Sequence, residues 1–325
     1  MNTNERKTDA MGHTAHNGRQ VKIEGAQGLN NPQGGKIDIH QQITDQILAA
    51  MEQARGTGRR LWDSQPSLPL NLTTGKPYSG INVLMLWSAA LTHGYTSPYW
   101  ITYKQAAERG GQVRKGEHGT HCVFYKPWES ADTNKDTGET EIVKGAVLKS
   151  FTVFNLDQID GIEAPATEPR APFEAIEDAE RILSASPAPI RIGGAQACYI
   201  PSRDEIHLPN REAFINPEAF YSTAMHEMTH STGHASRLAR DFSGRFGTEA
   251  YAFEELIAEL GSAFLNADIG ILNATLPDHA DYLSHWIAIL KSDKRAILTA
   301  AAQASKAHTF IKGLIVEAQG QEVAA

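Results

Sequence analysis

The sequence predicts an α+β chain of two domains. Three observations carry that prediction. Helical and strand periodicities alternate with no internal repeat. Charge changes sign sharply near the middle of the chain, and the second half holds a capped helix with the pattern His-Glu-x-x-His. At 325 residues and 41% hydrophobic content, the chain can fill two cores.

The charge is placed unevenly. Residues 40–128 hold nine Lys or Arg against five Asp or Glu, whereas 129–180 hold four against thirteen. The formal net charge of −8 argues against a general polyanion binder, so any nucleic-acid contact must come from the basic first module. No apolar run approaches a membrane span and no secretory leader is visible. The two cysteines, Cys122 and Cys198, are far apart with no metal or redox spacing. Cytosol is the expected compartment.

Residues 1–36 are rich in Asn, Gly, Gln and Thr and poor in large apolar residues, which predicts a disordered tail. A first domain is expected over 37–165. Ile39, Ile43, Ile47 and Met51 recur at helical spacing, and Gly56 ends that run. Residues 61–71 read as an extended, Pro-punctuated loop. A helix follows over 81–93, stopped by Gly94, with Leu84, Trp87 and Leu91 on one face. Thr102 and Gln105 form a capping box for a short helix closing at Gly110. Residues 112–119 read as a strand and turn. Residues 120–127 and 145–156 read as a hairpin, with 129–143 as its long polar loop.

Pro165, Pro169 and Pro172 mark a linker. A second domain is expected over 173–315. It opens with a helix to Ser184, followed by short strands near 190–192, 197–200 and 205–208. Helices are then expected over 217–232, 249–268, 278–290 and 292–312.

The helix over 217–232 carries the chemistry. Asn216 suits its N-cap, Pro217 its first position and Gly233 its stop. His226 and His230, at i and i+4, share a face and can direct two imidazoles at one metal ion. Glu227 lies one step round, where a carboxylate acts on metal-bound water. This is the zincin arrangement, and Glu227 is the candidate catalytic base. In the next helix, Phe253, Leu256, Leu260 and Phe264 form the apolar stripe, leaving Glu255 and Glu259 on another face among small residues. Glu255 is the expected third ligand, with Glu254 the alternative, and Glu259 is expected to orient a ligand histidine. His234 follows Gly233 and is expected to hydrogen-bond near the site, because the longer HExxHxxGxxH spacing would need His where Ser236 stands. Zinc is the expected cofactor, with other divalent ions as alternatives. His234, Tyr251 and the arginines of 237–245 are candidate oxyanion helpers.

In the first module, aromatic residues alternate with cations. Arg59, Arg60, Lys76, Lys104, Arg114 and Lys115 are candidate phosphate contacts, and Tyr78, Trp100 and Tyr103 are candidate platforms for bases. Trp87 reads as core. This pattern points to single-stranded DNA as a partner.

Both halves resemble a known family. Leu68-Pro69-Leu70-Asn71, the run Thr74 to Asn82, Trp100 to Gln105 and Gly111 to Glu117 are similar to the N-terminal domain of ArdC-type antirestriction proteins, a domain shared with TraC-like plasmid primases. The run His226 to His234, Ser236-Arg237-Leu238, Glu254 to Leu260 and Asp281-Tyr282 are similar to the zincin-like metallopeptidase domain that those proteins carry. The resemblance implies single-stranded DNA binding by the first domain, a metal site in the second, and protection of incoming plasmid DNA from restriction enzymes during conjugation. The alternative is a working metalloprotease that cleaves a regulatory or DNA-bound protein.

Overall fold

The computed structural model describes residues 38–55, 67–133, 140–165, 172–242, 248–271 and 280–324. The expected tail over 1–36, Arg59, Arg60 and Arg245 lie outside the described residues.

The first half contains α1 (Ile39–Arg55), β1 (Leu70–Asn71), α2 (Ile81–His93), β2 (Tyr99–Ile101), α3 (Tyr103–Glu108), β3 (Gln112–Val113), β4 (Thr120–Thr133), β5 (Thr140–Asn155) and β6 (Ile159–Asp160). α2 stops at Gly94, whose φ of 71° is a left-handed conformation that glycine adopts at little cost. Thr102 and Gln105 form the capping box of α3. One sheet runs β1-β2-β5-β4, and β3 pairs with β6. The expected loop over 129–143 is mostly strand: β4 continues to Thr133 and β5 begins at Thr140. A two-stranded ribbon satisfies its own backbone hydrogen bonds, so a polar composition does not prevent it from forming. Residues 124–149 of this hairpin form a unit of their own.

The second half contains α4 (Pro172–Ser184), β7 (Ile190–Gly194), β8 (Cys198–Ile200), β9 (Glu205–Pro209), α5 (Pro217–Ser231), α6 (Glu249–Ile269), α7 (Ala280–Ser292) and α8 (Ala296–Ala324). In the small sheet β9 is central, parallel to β7 and antiparallel to β8. Ile206 and Leu208 of β9 are fully buried in one cluster with Phe220, Met225 and Met228 of α5 and Ile311 of α8. Burying such side chains contributes about 1.5–3 kcal/mol each.

The α1 and α2 helices pack on α7 and α8. Thr44 Oγ1 donates to Lys294 O at 2.8 Å, and Ser305 Oγ accepts from Gly80 N at 2.6 Å. The Trp87 ring, 2% exposed, lies 5.8 Å from the ring of Phe264 on α6. Among the described residues, no helix is long and apolar enough to cross a membrane.

Candidate metal centre

Helix α5 starts where its sequence dictates. Asn216 Oδ1 accepts from Ala219 N at 2.8 Å and Pro217 occupies the first turn. Every residue from Ala219 to Ser231 is buried, so the histidines of this helix face protein rather than solvent. Gly233 is not the left-handed stop expected of it. Its φ is not positive, and the helix ends through Thr232. Glycine is needed there for space, since a Cβ would fall 2.5 Å from the Phe242 ring and 3.0 Å from Arg240 Cζ.

Helix α6 brings the carboxylates. Its N-cap Thr248 accepts from Tyr251 N, and Gly270 ends it with a φ of 78°. It approaches α5 closely at Gly261, where a Cβ would lie 2.4 Å from Thr229 Cγ2. That approach sets Glu255 against both histidines. His226 Nε2 and His230 Nε2 are 3.1 Å apart. His226 Nε2 lies 3.3 Å from Glu255 Oε2, and His230 Nε2 lies 3.3 Å from Glu255 Oε1. Tetrahedral ligands about 2.0–2.1 Å from a zinc-sized ion stand about 3.3 Å from one another. The three side chains therefore fit a divalent metal, and they form the one such group found among the described residues.

The outer nitrogens of the histidines also face carboxylates. Glu259 Oε2 lies 3.8 Å from His226 Nδ1, and Glu254 Oε1 lies 3.2 Å from His230 Nδ1. Burial disfavours charge on His230, but hydrogen bonds and proximity to Glu254 and Glu255 outweigh it, and its pKa is raised to about 10. Burial likewise disfavours charge on Glu255, yet the two histidines pull its pKa far below the usual carboxylate range. The site thus favours cationic charge at its centre, where a divalent metal would displace protons from its ligands. Glu227 is 8% exposed on the same helix.

His234 is not brought to the ligands. Its Nδ1 pairs with Ser236 Oγ at 2.8 Å, because the chain turns away from α5 after Thr232. Glu254, the alternative ligand, instead faces the outer nitrogen of His230. Arg237 and Arg240, weighed as oxyanion helpers, are committed elsewhere. Arg237 donates to Ser231 O at 2.8 Å and to Asp204 Oδ2 at 2.9 Å. Arg240 binds Glu254, a pairing that the sequence reading missed. The adjacent Glu254-Glu255 pair held a signal for it: successive helical residues point about 100° apart, so each can serve a different nitrogen.

In the first module, Tyr103 is 54% exposed beside Phe154 at 6.2 Å. Lys76, Lys104 and Lys115 are exposed, and Lys104 lies 3.7 Å from Glu108. Trp100 is no platform in this conformation. It is 1% exposed and packed with Leu86, Ala89, Cys122 and Val153, which leaves no face for a base. Tyr78 is half-buried against the same cluster, with its hydroxyl 3.4 Å from Asn71 Nδ2. Arg114 is exposed but engaged, bonded to Glu117 at 3.0 Å and 3.5 Å from Asp160.

Residues 37–154 match the N-terminal domain of anti-restriction factor ArdC, and residues 177–303 match the zincin-like metallopeptidase family. The antirestriction ArdC protein of plasmid R388 is 38% identical. Its metal-free structure superposes with a TM-score of 0.71 over 86% of this chain and 99% of that one. Its Mn(II)-bound structure gives 0.70 over 86% and 98%. The uncharacterized protein y4eC of Sinorhizobium fredii is 39% identical over 88% of this chain and 95% of its own length. A DNA primase TraC of Escherichia coli is 39% identical over 85% of this chain, which spans 27% of that primase. In both halves and over most of its length, the chain therefore belongs to the ArdC family of antirestriction proteins, with a zincin-like metallopeptidase domain as its second half.

Proposed function

We propose that the protein binds single-stranded DNA through its first module and protects incoming plasmid DNA from restriction during conjugation, acting in the cytosol. The observation that carries this proposal is the near-complete match to the ArdC protein of plasmid R388. The alignment with a DNA primase over 85% of the chain supports a role on single strands. Exposed Tyr103, Lys104 and Lys115 on and beside α3 supply an aromatic face and cations for such a strand.

The second module holds a divalent metal between His226, His230 and Glu255. The donor chemistry suits zinc, and the Mn(II)-bound relative supports the broader class of divalent ions. When bound, the metal supplies Lewis acidity toward a water or a carbonyl. Glu254 orients the His230 imidazole through its outer nitrogen, and Glu259 faces the outer nitrogen of His226. Were the site hydrolytic, Glu227 would take up the proton released from water and return it to the leaving amine.

A second reading, cleavage of a restriction enzyme or another DNA-bound or regulatory protein, is favoured by Glu227 standing next to a ligand histidine on the buried part of α5.

The test is single-strand binding by the full chain across a salt series. Affinity should fall steeply, with a log–log slope of about −0.7 per phosphate neutralised. Lys104→Glu and Lys115→Glu should each weaken binding. Absent or salt-independent binding overturns the proposal. Glu227→Gln separates the two readings: antirestriction retained with metal bound supports action by binding, and its loss with fold and metal intact supports proteolysis.

A further inference from the structure

We infer that Arg240 is a positioning residue of the metal centre. It fixes Glu254, which in turn fixes the tautomer and direction of the ligand His230. The inference rests on reading His226, His230 and Glu255 as metal ligands.

Arg240 is reached by a turn that doubles back on the end of α5. Leu238 N donates to Thr232 O at 2.9 Å and Arg240 N to Gly233 O at 2.9 Å. Ala239 sits between them with a φ of 49°, a left-handed conformation that costs a non-glycine residue about 1 kcal/mol or more. The strained turn aims the Arg240 side chain inward, and the missing side chain at Gly233 gives it room. The Arg240 side chain is 5% exposed.

Each nitrogen of the guanidinium is used. Nε donates to Glu254 Oε2 at 3.0 Å, and Nη2 donates to Glu254 Oε1 at 2.8 Å, a two-point grip on one carboxylate. Nη1 donates to Thr232 Oγ1 at 2.7 Å, and Nη2 also donates to Thr229 O at 2.7 Å. The last two bonds tie the same group to the backbone turn that carries His230.

The chemistry follows from what each atom can do. Both oxygens of Glu254 accept from the guanidinium, so the carboxylate acts as an acceptor toward its other neighbours. Its partner at 3.2 Å is His230 Nδ1, so that nitrogen carries the proton and Nε2 keeps its lone pair for a metal. Arg240 also offsets one negative charge among the buried Glu227, Glu254, Glu255 and Glu259. An ammonium could replace the charge but not the planar two-point grip.

The test is metal affinity, measured by chelator competition with Zn²⁺ and with Mn²⁺, for the wild type, Arg240→Lys, Glu254→Gln and the double variant. Melting of the metal-free proteins is measured alongside. Arg240→Lys should weaken affinity about 10- to 100-fold. In the Glu254→Gln background the same change should have little further effect, because Arg240 acts through that carboxylate. Unchanged affinity in Arg240→Lys, even with a lowered melting temperature, would make Arg240 a staple of the turn and overturn the inference. So would losses that multiply in the double variant. Wild-type protein that binds neither ion would instead overturn the metal-centre reading on which the inference rests.

Discussion

Gly261→Ala tests how tightly the metal centre depends on the spacing of two helices. The added Cβ would meet Thr229 Cγ2 at 2.4 Å, about 1.0 Å inside the 3.4 Å lower limit of ordinary contact, and Thr229 Oγ1 at 2.8 Å. Thr229 cannot yield freely, because it is buried and its hydroxyl is bonded to Met225 O at 2.8 Å. Helix α6 must therefore shift by about 1 Å. Overpacking of this kind costs about 1–3 kcal/mol, offset by about 1 kcal/mol from the better helix propensity of alanine. Net stability should fall by no more than about 2 kcal/mol. The metal should suffer more. Glu255 lies on the same helix, about 9 Å along its axis from Gly261 at 1.5 Å per residue. A shift of about 1 Å exceeds the tolerance of about 0.2 Å in metal–ligand distance. Chelator competition should show affinity lowered about tenfold or more, a loss of about 1.4 kcal/mol. Thr229→Ala in the same protein should restore most of it by removing the obstructing atoms. Wild-type affinity in Gly261→Ala, or no rescue by Thr229→Ala, would refute the claim that this contact sets the site.

Two further outcomes are expected. Trp87→Ala removes a buried ring that packs on Phe264 and donates to Ser67 O at 3.0 Å, so urea unfolding should show a loss of about 3–5 kcal/mol; a loss below about 1 kcal/mol would mean that the contact between the halves is loose. Asp268 should contribute to acid sensitivity: burial raises its pKa, but His308 at 3.3 Å and Lys312 at 2.5 Å outweigh this and lower it. A lowered folded pKa gives stability that is present above the unfolded value of 3.8 and lost as pH falls through the folded value. Asp268→Asn should thus destabilise the metal-free protein by about 1–2 kcal/mol at pH 7, allowing for the exposure of Lys312, with the difference fading as pH falls below 3.8 and through the lowered folded value. An equal difference at pH 7 and in acid would assign the effect to packing.

Much of this architecture was legible in local sequence. Gly94 stops its helix in the left-handed conformation, and Thr102 with Gln105 closes its capping box, because each device acts within a few residues. The i, i+4 histidines share a face for the same reason. Periodicity missed β1, β2 and the outer part of the hairpin, whose pairing partners lie far away in the chain or whose composition is polar. It also could not tell that Trp100, with its cationic neighbours, is core.

The sequence by itself determined the main helices, the HEMTH helix among them, and the residue types able to hold a metal, since those follow from short-range geometry. The tertiary structure decided how the carboxylates divide their work. Glu255 bridges the inner nitrogens of both histidines, Glu254 and Glu259 stand at the outer ones, and Arg240 returns to grip Glu254. That division depends on how closely and at what rotation α6 meets α5. It is set at Gly261 and Thr229, a contact between helices whose partners lie 32 residues apart in the chain.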